Sequence, residues 1–391
     1  MCDESILVIN TGSSSLKFGL YERKNGDEQV LFDGLADGIG QDGGLLEVKD
    51  GSGKTLRSEK LSFTSRHDAL NHAARWLNEL SPGKPYAVGH RVVHGGPRLV
   101  THQKITPQLI AELQACVHFA PLHIPMAVQL IKEAEQAYPG VPQFACFDTA
   151  FHRTMPETAA RFPLSRQLFE EGIRRYGFHG LSYESIVHQL GDKLPSRTVM
   201  AHLGSGASLV AVKDGKSVDT SMGLTPTGGI PMATRTGDLD PGVLLYLQRA
   251  KKMDADALEK LLNHNAGLVA LSGGTSDMRK LQDAAKAGDQ DAELAIDIFC
   301  LAIRKMVAAY AAVLGGLDLL IFAGGIGEHS ARVRSGVCDG LAFLGVALDD
   351  RSNQASEAKI SPAGSRVEVS VVVSQEDRQI ARHCRAMMKE A

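Results

Sequence analysis

Cysteine is scarce and scattered: six in 391 residues, Cys2, Cys116, Cys146, Cys300, Cys338 and Cys384, with no CxxC pair. That spacing excludes a zinc knuckle or a disulfide framework and reads as the reduced thiols of a cytosolic protein. Excess charge is also missing. Lysine plus arginine (42) nearly balances aspartate plus glutamate (45), for a formal net charge of −3. There is therefore no basic footprint for nucleic acid and no polybasic patch for a membrane surface. Charge-free apolar runs of membrane length are lacking too. The most apolar long stretch, Ile296 to Phe322, carries Asp297, Arg304, Lys305 and Asp318 and reads as a core helix running into a strand. No signal peptide is expected, because Asp3 and Glu4 precede a first strand that starts within a few residues. The expected location is the cytoplasm.

What is present is ordinary globular composition, 43% hydrophobic and 22% charged, and enough length for two domains with separate cores. The informative stretch is Leu7 to Tyr21. An apolar run, Ile6 to Ile9, breaks at Asn10-Thr11-Gly12-Ser13-Ser14-Ser15 and resumes as Leu16 to Leu20. Two short strands joined by a hydroxyl-rich turn predict a β-hairpin whose backbone N–H groups suit phosphate oxygens. Taken singly, this is an ordinary Ser-rich turn. A second copy, Val199 to Val212 around Gly204-Ser205-Gly206, repeats the plan half a chain later. Such a duplicated strand, phosphate loop and strand resembles the pattern of the actin, Hsp70 and sugar-kinase superfamily.

Other stretches place chemistry at strand ends. Ala87 to Gly96 reads as a strand delivering His90, Arg91 and His94 to a Gly-Gly turn. Arg91 stands out there, because its planar fork matches a carboxylate or a phosphate. Phe144 to His152 reads as a buried strand ending at Asp148, which is either a site residue or an N-cap; the catalytic reading is favoured. Tyr176 to Gly180 presents His179 between glycines that permit close approach. Residues 219–241 form a long polar loop carrying Arg235, and such loops are usually functional. Gly273-Gly274 precedes Asp277 and Arg279 at a helix start, and Gly324 to Glu328 follows a strand. Residues 66–80 and 126–137 read as helices, Trp76 as packing, and Ser374 to Asp377 as the cap of a final helix.

Together these motifs closely resemble the acetate kinase family, short-chain acyl kinases, from Ile6 to Ala381. The resemblance implies an α/β fold of two related, ribonuclease H-like domains with a nucleotide cleft between them. Residues 1–150, completed by a C-terminal helix at 375–391, would form the acyl kinase domain, and 151–374 the nucleotide-binding domain. It implies transfer of the ATP γ-phosphoryl group to acetate, or to propionate as the near alternative, by a homodimer using Mg²⁺ or Mn²⁺. A nucleotide-gated binding module of the Hsp70 or actin type is the more distant alternative.

By the same resemblance, Asn10 and Glu376 would place the metal. Arg91, His123, Asp148, His179 and Arg235 would be catalytic. Lys17, Ser13 and Ser15 would face the phosphates. His202, Leu203, Gly204, Ser205 and Gly206 would hold the nucleotide, with Asp277, Met278, Arg279, Gly325, Ile326, Gly327, Glu328 and His329. Arg91, Val93, Leu122, Phe178 and Pro226 would bind the substrate. Ser205, Leu181, His329 and Gln375 depart from the family's usual Asn, Thr, Asn and Asn, which bears on rate and nucleotide preference rather than on reaction type.

Overall fold

The computed structural model describes residues 4–11, 15–41, 43–81, 83–121 and 123–390. They form two compact units. The first comprises Met1–Ala150, Gly180–Ser185 and Gln375–Ala391, the second Phe151–His179 and Ile186–Ser374.

The sheet of the first unit is built from β1 (Ile6–Thr11), β2 (Ser15–Lys24), β3 (Asp27–Asp37), β4 (Gly44–Asp50), β5 (Thr55–Leu61), β6 (Ala87–Val92), β7 (Gln103–Lys104) and β8 (Gln143–Phe147). Their spatial order is β5-β4-β3-β2-β1-β6-β8-β7. The first five strands form an antiparallel meander, and β1, β6 and β8 run parallel. The outer strand β5 is almost wholly exposed, and its Arg57, Glu59 and Lys60 are the charges that keep a sheet edge from pairing with another chain.

Each face of this sheet is covered. Leu70, Ala73, Trp76 and Leu77 of the helix Arg66–Leu80 pack with Leu7, Ile9, Phe18 and Val88, and Leu130 and Ala134 of the helix Ile124–Ala137 join them. On the other face, Ile380, Ala381 and Cys384 of the helix Glu376–Glu390 pack against Ile6, Val8, Ala87 and Phe144. Gly89 lets that helix approach: a Cβ there would stand 2.6 Å from Ile380 Cγ2 and 2.7 Å from Cys384 Sγ. Leu181 is buried in the same cluster, which explains why Gly180–Ser185 groups with the first unit although its neighbours in sequence do not.

The second unit repeats the first in shortened form. Strands β9 (Arg197–Leu203), β10 (Ala207–Lys213), β11 (Lys216–Thr220), β12 (Leu319–Ala323) and β13 (Glu368–Val371) lie in the order β11-β10-β9-β12-β13. This matches β3-β2-β1-β6-β8 strand for strand: three antiparallel, then two added in parallel. The hairpin duplication in the sequence is thus a duplication of sheet topology. The apolar stretch from Ile296 is the later part of the helix Gln290–Leu314, which precedes β12. Among the described residues no helix is long and apolar enough to cross a membrane. The five described cysteines are free and buried; Cys2 lies outside the described residues.

Candidate active site

Because β1, β6 and β8 are parallel neighbours, their carboxyl ends are level, and that rim is where open α/β sheets place ligands. Asn10, Arg91 and Asp148 all stand there. Arg91 Nε donates to both Asp148 carboxylate oxygens at 3.1 and 3.0 Å, and its Nη2 donates to Oδ2 at 2.7 Å. Its Nη1 donates to Asn10 Oδ1 at 3.3 Å and lies 3.6 Å from Glu376 Oε2. Asn10 Nδ2 donates in turn to Asp377 Oδ1 at 2.9 Å. Lys17 is exposed on β2, opposite Asn10 in the register, and its charge reaches Asp377.

Burial sets the electrostatics here. It pushes the Asp148 carboxyl up to about 6, with Arg91 pulling against it. It also pushes Asp377 up to about 6, opposed by the hydrogen bond from Asn10 and helped by the charge of Glu376. Burial works against the Arg91 charge, but Asp148 and Glu376 outweigh it and hold its pKa above the ordinary guanidinium value. Asp148, read from the sequence as either a site residue or an N-cap, has both carboxylate oxygens bonded by Arg91. The oxygens of Asn10, Glu376 and Asp377 are the donor type hard divalent cations take.

The histidines beside Arg91 do other work. His90 is buried and pairs with Gln143 Oε1 at 2.6 Å. His94 is buried, accepts the Gly96 N–H at 2.8 Å and stacks on Phe119. His123 is the N-cap residue of the helix Ile124–Ala137, and Val93 is half-buried two residues beyond Arg91. Ser13 and Leu122 lie outside the described residues. Ser15 opens β2 and is half-buried.

In the second unit the turn between β9 and β10 gathers a separate group. His179 adopts the left-handed conformation, φ 58°, a strained state for a residue with a side chain and one that clusters at functional sites. Its Nδ1 pairs with Ser208 Oγ at 2.9 Å and its ring stacks on His202 at 4.4 Å. A Cβ on Gly206 would lie 3.3 Å from His179 Nε2 and 3.5 Å from Arg235 Nη1, so glycine lets both side chains close on the turn. Arg235 Nη1 donates to Pro226 O at 3.1 Å, and the Ala233 N–H donates to Ser205 O at 3.2 Å, tying the long polar loop to the turn. His152, buried, bonds Ser217 Oγ and donates to Phe178 O just before His179. Phe178 is itself a fully buried side chain in this unit.

The remaining second-unit candidates divide between surface and interior. Gly204 and Ser205 complete the turn after buried Leu203. Asp277 caps the helix Met278–Lys286 through the Arg279 N–H and pairs with the exposed Arg279 guanidinium, while Met278 is buried. Gly325, Ile326, Gly327 and His329 belong to the short helix Gly324–His329, with Gly325 and His329 exposed. Glu328 is drawn inward: its Oε1 accepts the N–H groups of Gly324 at 3.0 Å and Ser374 at 3.2 Å.

Sequence reasoning passed over Asp377 and Ser208. Asp377 adjoins Glu376 in a capping stretch, a signal that would have found it. Ser208 had no signal beyond being two residues past the Gly206 turn.

Comparison with known proteins gives one consistent result. The model of the acetokinase family matches residues 5–382. The acetate kinase of Methylocella silvestris is 42% identical over 400 residues, covering 98% of both chains. The crystal structure of Porphyromonas gingivalis acetate kinase superposes with a TM-score of 0.87 at 37% identity, and a propionate kinase from Francisella tularensis with 0.92 at 36%. In both cases 98% of this chain and 100% of the other are covered.

Proposed function

The chain belongs to the acetokinase family, kinases that transfer phosphate to a carboxylate, and on that premise we propose that it reversibly converts ATP and acetate to ADP and acetyl phosphate. The observation that carries this reading is the Arg91–Asp148 pair. Both oxygens of Asp148 are taken up by Arg91, so the one acid at the rim of β8 is not poised as a base. A carboxylate acceptor needs none, since it is already ionised at neutral pH.

What remains is to bring an anion to a polyanion, which is a matter of positioning and electrostatics. Arg91 holds the acceptor carboxylate, oriented by Asp148. Arg235 and His179 bind the transferring group, and the β9–β10 turn with Asp277, Arg279 and the Gly324–His329 helix holds the nucleotide. The family resemblance assigns the methyl group to Val93, Leu122, Phe178 and Pro226. Asn10 and Glu376, with Asp377 beside them, would hold Mg²⁺ or Mn²⁺, which would supply positive charge against the phosphates. Glu376→Ala is expected to raise the Mg²⁺ concentration for half-maximal turnover by roughly tenfold or more. An unchanged Mg²⁺ dependence would remove Glu376 from that role.

The decisive assay traps acyl phosphate as the hydroxamate from MgATP with acetate, propionate and butyrate in parallel. Acetate is expected to lead, and one added methylene changes kcat/KM by about 10–200-fold. A lead for propionate would favour the second reading, to which the propionate kinase neighbour lends support. No product with any acid would sink both.

We further propose a cytoplasmic homodimer. The helix Pro241–Lys251 supports the second copy: it carries Val243, Leu245 and Tyr246 exposed and has no buried residue, an apolar face of the kind that marks interaction sites.

A further inference from the structure

Within the first unit, close enough for its charge to act on Asp148, a carboxylate oxygen of Glu184 gathers two histidines from distant parts of the chain. Glu184 Oε2 accepts from His102 Nε2 at 3.2 Å and from His383 Nε2 at 2.7 Å, and the two rings lie 4.0 Å apart. Burial alone would push the Glu184 carboxyl up, but the two histidine bonds outweigh it and hold it at about 2. On its other side, His102 Nδ1 accepts the backbone N–H of Phe147 at 3.0 Å.

That last bond sits at a gap in the sheet. Strand β7 covers the outer edge of β8 only at Ala145 and Phe144. At Phe147 the partner strand has run out, and the imidazole of His102, the residue just before β7, supplies the missing acceptor. The next residue is Asp148. Its own N–H is held by Val92 O and its carbonyl accepts the Gly180 N–H, so the backbone that aims the Asp148 carboxylate is fixed on every side.

His102, Glu184 and His383 also have the ligand types of a two-histidine, one-carboxylate metal site, with ligand atoms within 4.8 Å of one another. The tautomer argues otherwise. A metal on His102 Nε2 requires the proton on Nδ1, and Nδ1 is occupied as the acceptor for Phe147.

We propose that His102, with its tautomer set by Glu184, is a positioning residue for phosphoryl transfer, holding the end of β8 so that Asp148 presents the Arg91 fork to the substrate carboxylate. This rests on the reading of Arg91 given above. A displacement of about 1 Å at a reacting group costs around 10²-fold.

The test exploits the two ends of the imidazole. His102→Asn keeps an acceptor near the Nδ1 position and loses the reach to Glu184. His102→Gln keeps a donor near the Nε2 position and loses the acceptor for Phe147. With both variants shown to be folded by circular dichroism, His102→Gln is expected to lose roughly 10–100-fold in kcat with the KM for ATP unchanged, and His102→Asn to recover most of that loss. Wild-type kcat in His102→Gln, or equal losses in both variants, would overturn the proposal. Arg91→Ala, assayed alongside, separates the two levels. An active Arg91→Ala enzyme would mean that the functional reading has failed. An inactive one beside a fully active His102→Gln would mean that only the positioning role has.

Discussion

Replacing Arg91 by alanine is expected to lower turnover by roughly 10³-fold or more, the scale on which a phosphoryl-transfer arginine acts. The side chain joins the acceptor role to a structural one. Asp148 is 1% exposed, and Arg91 supplies three of its N–H···O contacts. Truncation therefore removes the substrate fork and leaves a buried carboxylate without its cation, which costs about 3–5 kcal/mol in comparable buried pairs. The sign of the accompanying pH effect follows. Without Arg91 the folded-state pKa of Asp148 rises further above its unfolded value, so the folded state binds the proton more tightly. The stability deficit of the variant should be largest above that raised pKa and shrink as the pH is lowered and Asp148 takes up its proton. Urea denaturation at several pH values measures this directly. Arg91→Lys separates charge from shape: it keeps the cation but not the planar, multidentate fork, and should recover stability more than turnover. Normal turnover in folded Arg91→Ala would end the assignment.

Arg235→Ala is expected to reduce turnover by a similar roughly 10³-fold, with a quite different stability signature. Arg235 is half-buried in a polar loop and donates to the Pro226 carbonyl, a bond whose loss costs about 1 kcal/mol. A large kinetic loss with nearly unchanged unfolding would mark a side chain kept for the transferring phosphoryl group. The KM for ATP should move less than kcat, since the contact to a group in flight is made chiefly in the transition state. A well-folded Arg235→Ala enzyme with near-normal turnover would remove this arginine from the mechanism, while a large fall in stability without kinetic change would make it a loop staple.

Much of the molecule was legible before any coordinates. Apolar runs broken by Gly/Ser turns announced both hairpins, and their recurrence half a chain apart announced a duplicated strand–turn–strand unit. The helix Arg66–Leu80 was readable from its apolar spacing to the residue. Strand-end positions picked out Asn10, Arg91 and Asp148, because the chemistry of a parallel sheet collects at one rim.

Partnership was not legible. Asp148 could be read as a cap until Arg91 was found against it, 57 residues away in sequence. Asn10 meets Asp377 across 367 residues, and Glu184 meets His383 across 199. Asp277 and Arg279, read as available to a nucleotide, bind each other. Glu328 turns from the surface to bridge two backbone N–H groups. Local sequence determined strands, turns and which residues stand at strand ends, since those depend on neighbours within a few positions. Which strand lies beside which, and so which charge a buried carboxylate finds, was decided only by tertiary packing, because a side chain's protonation and aim are set by what is close in space.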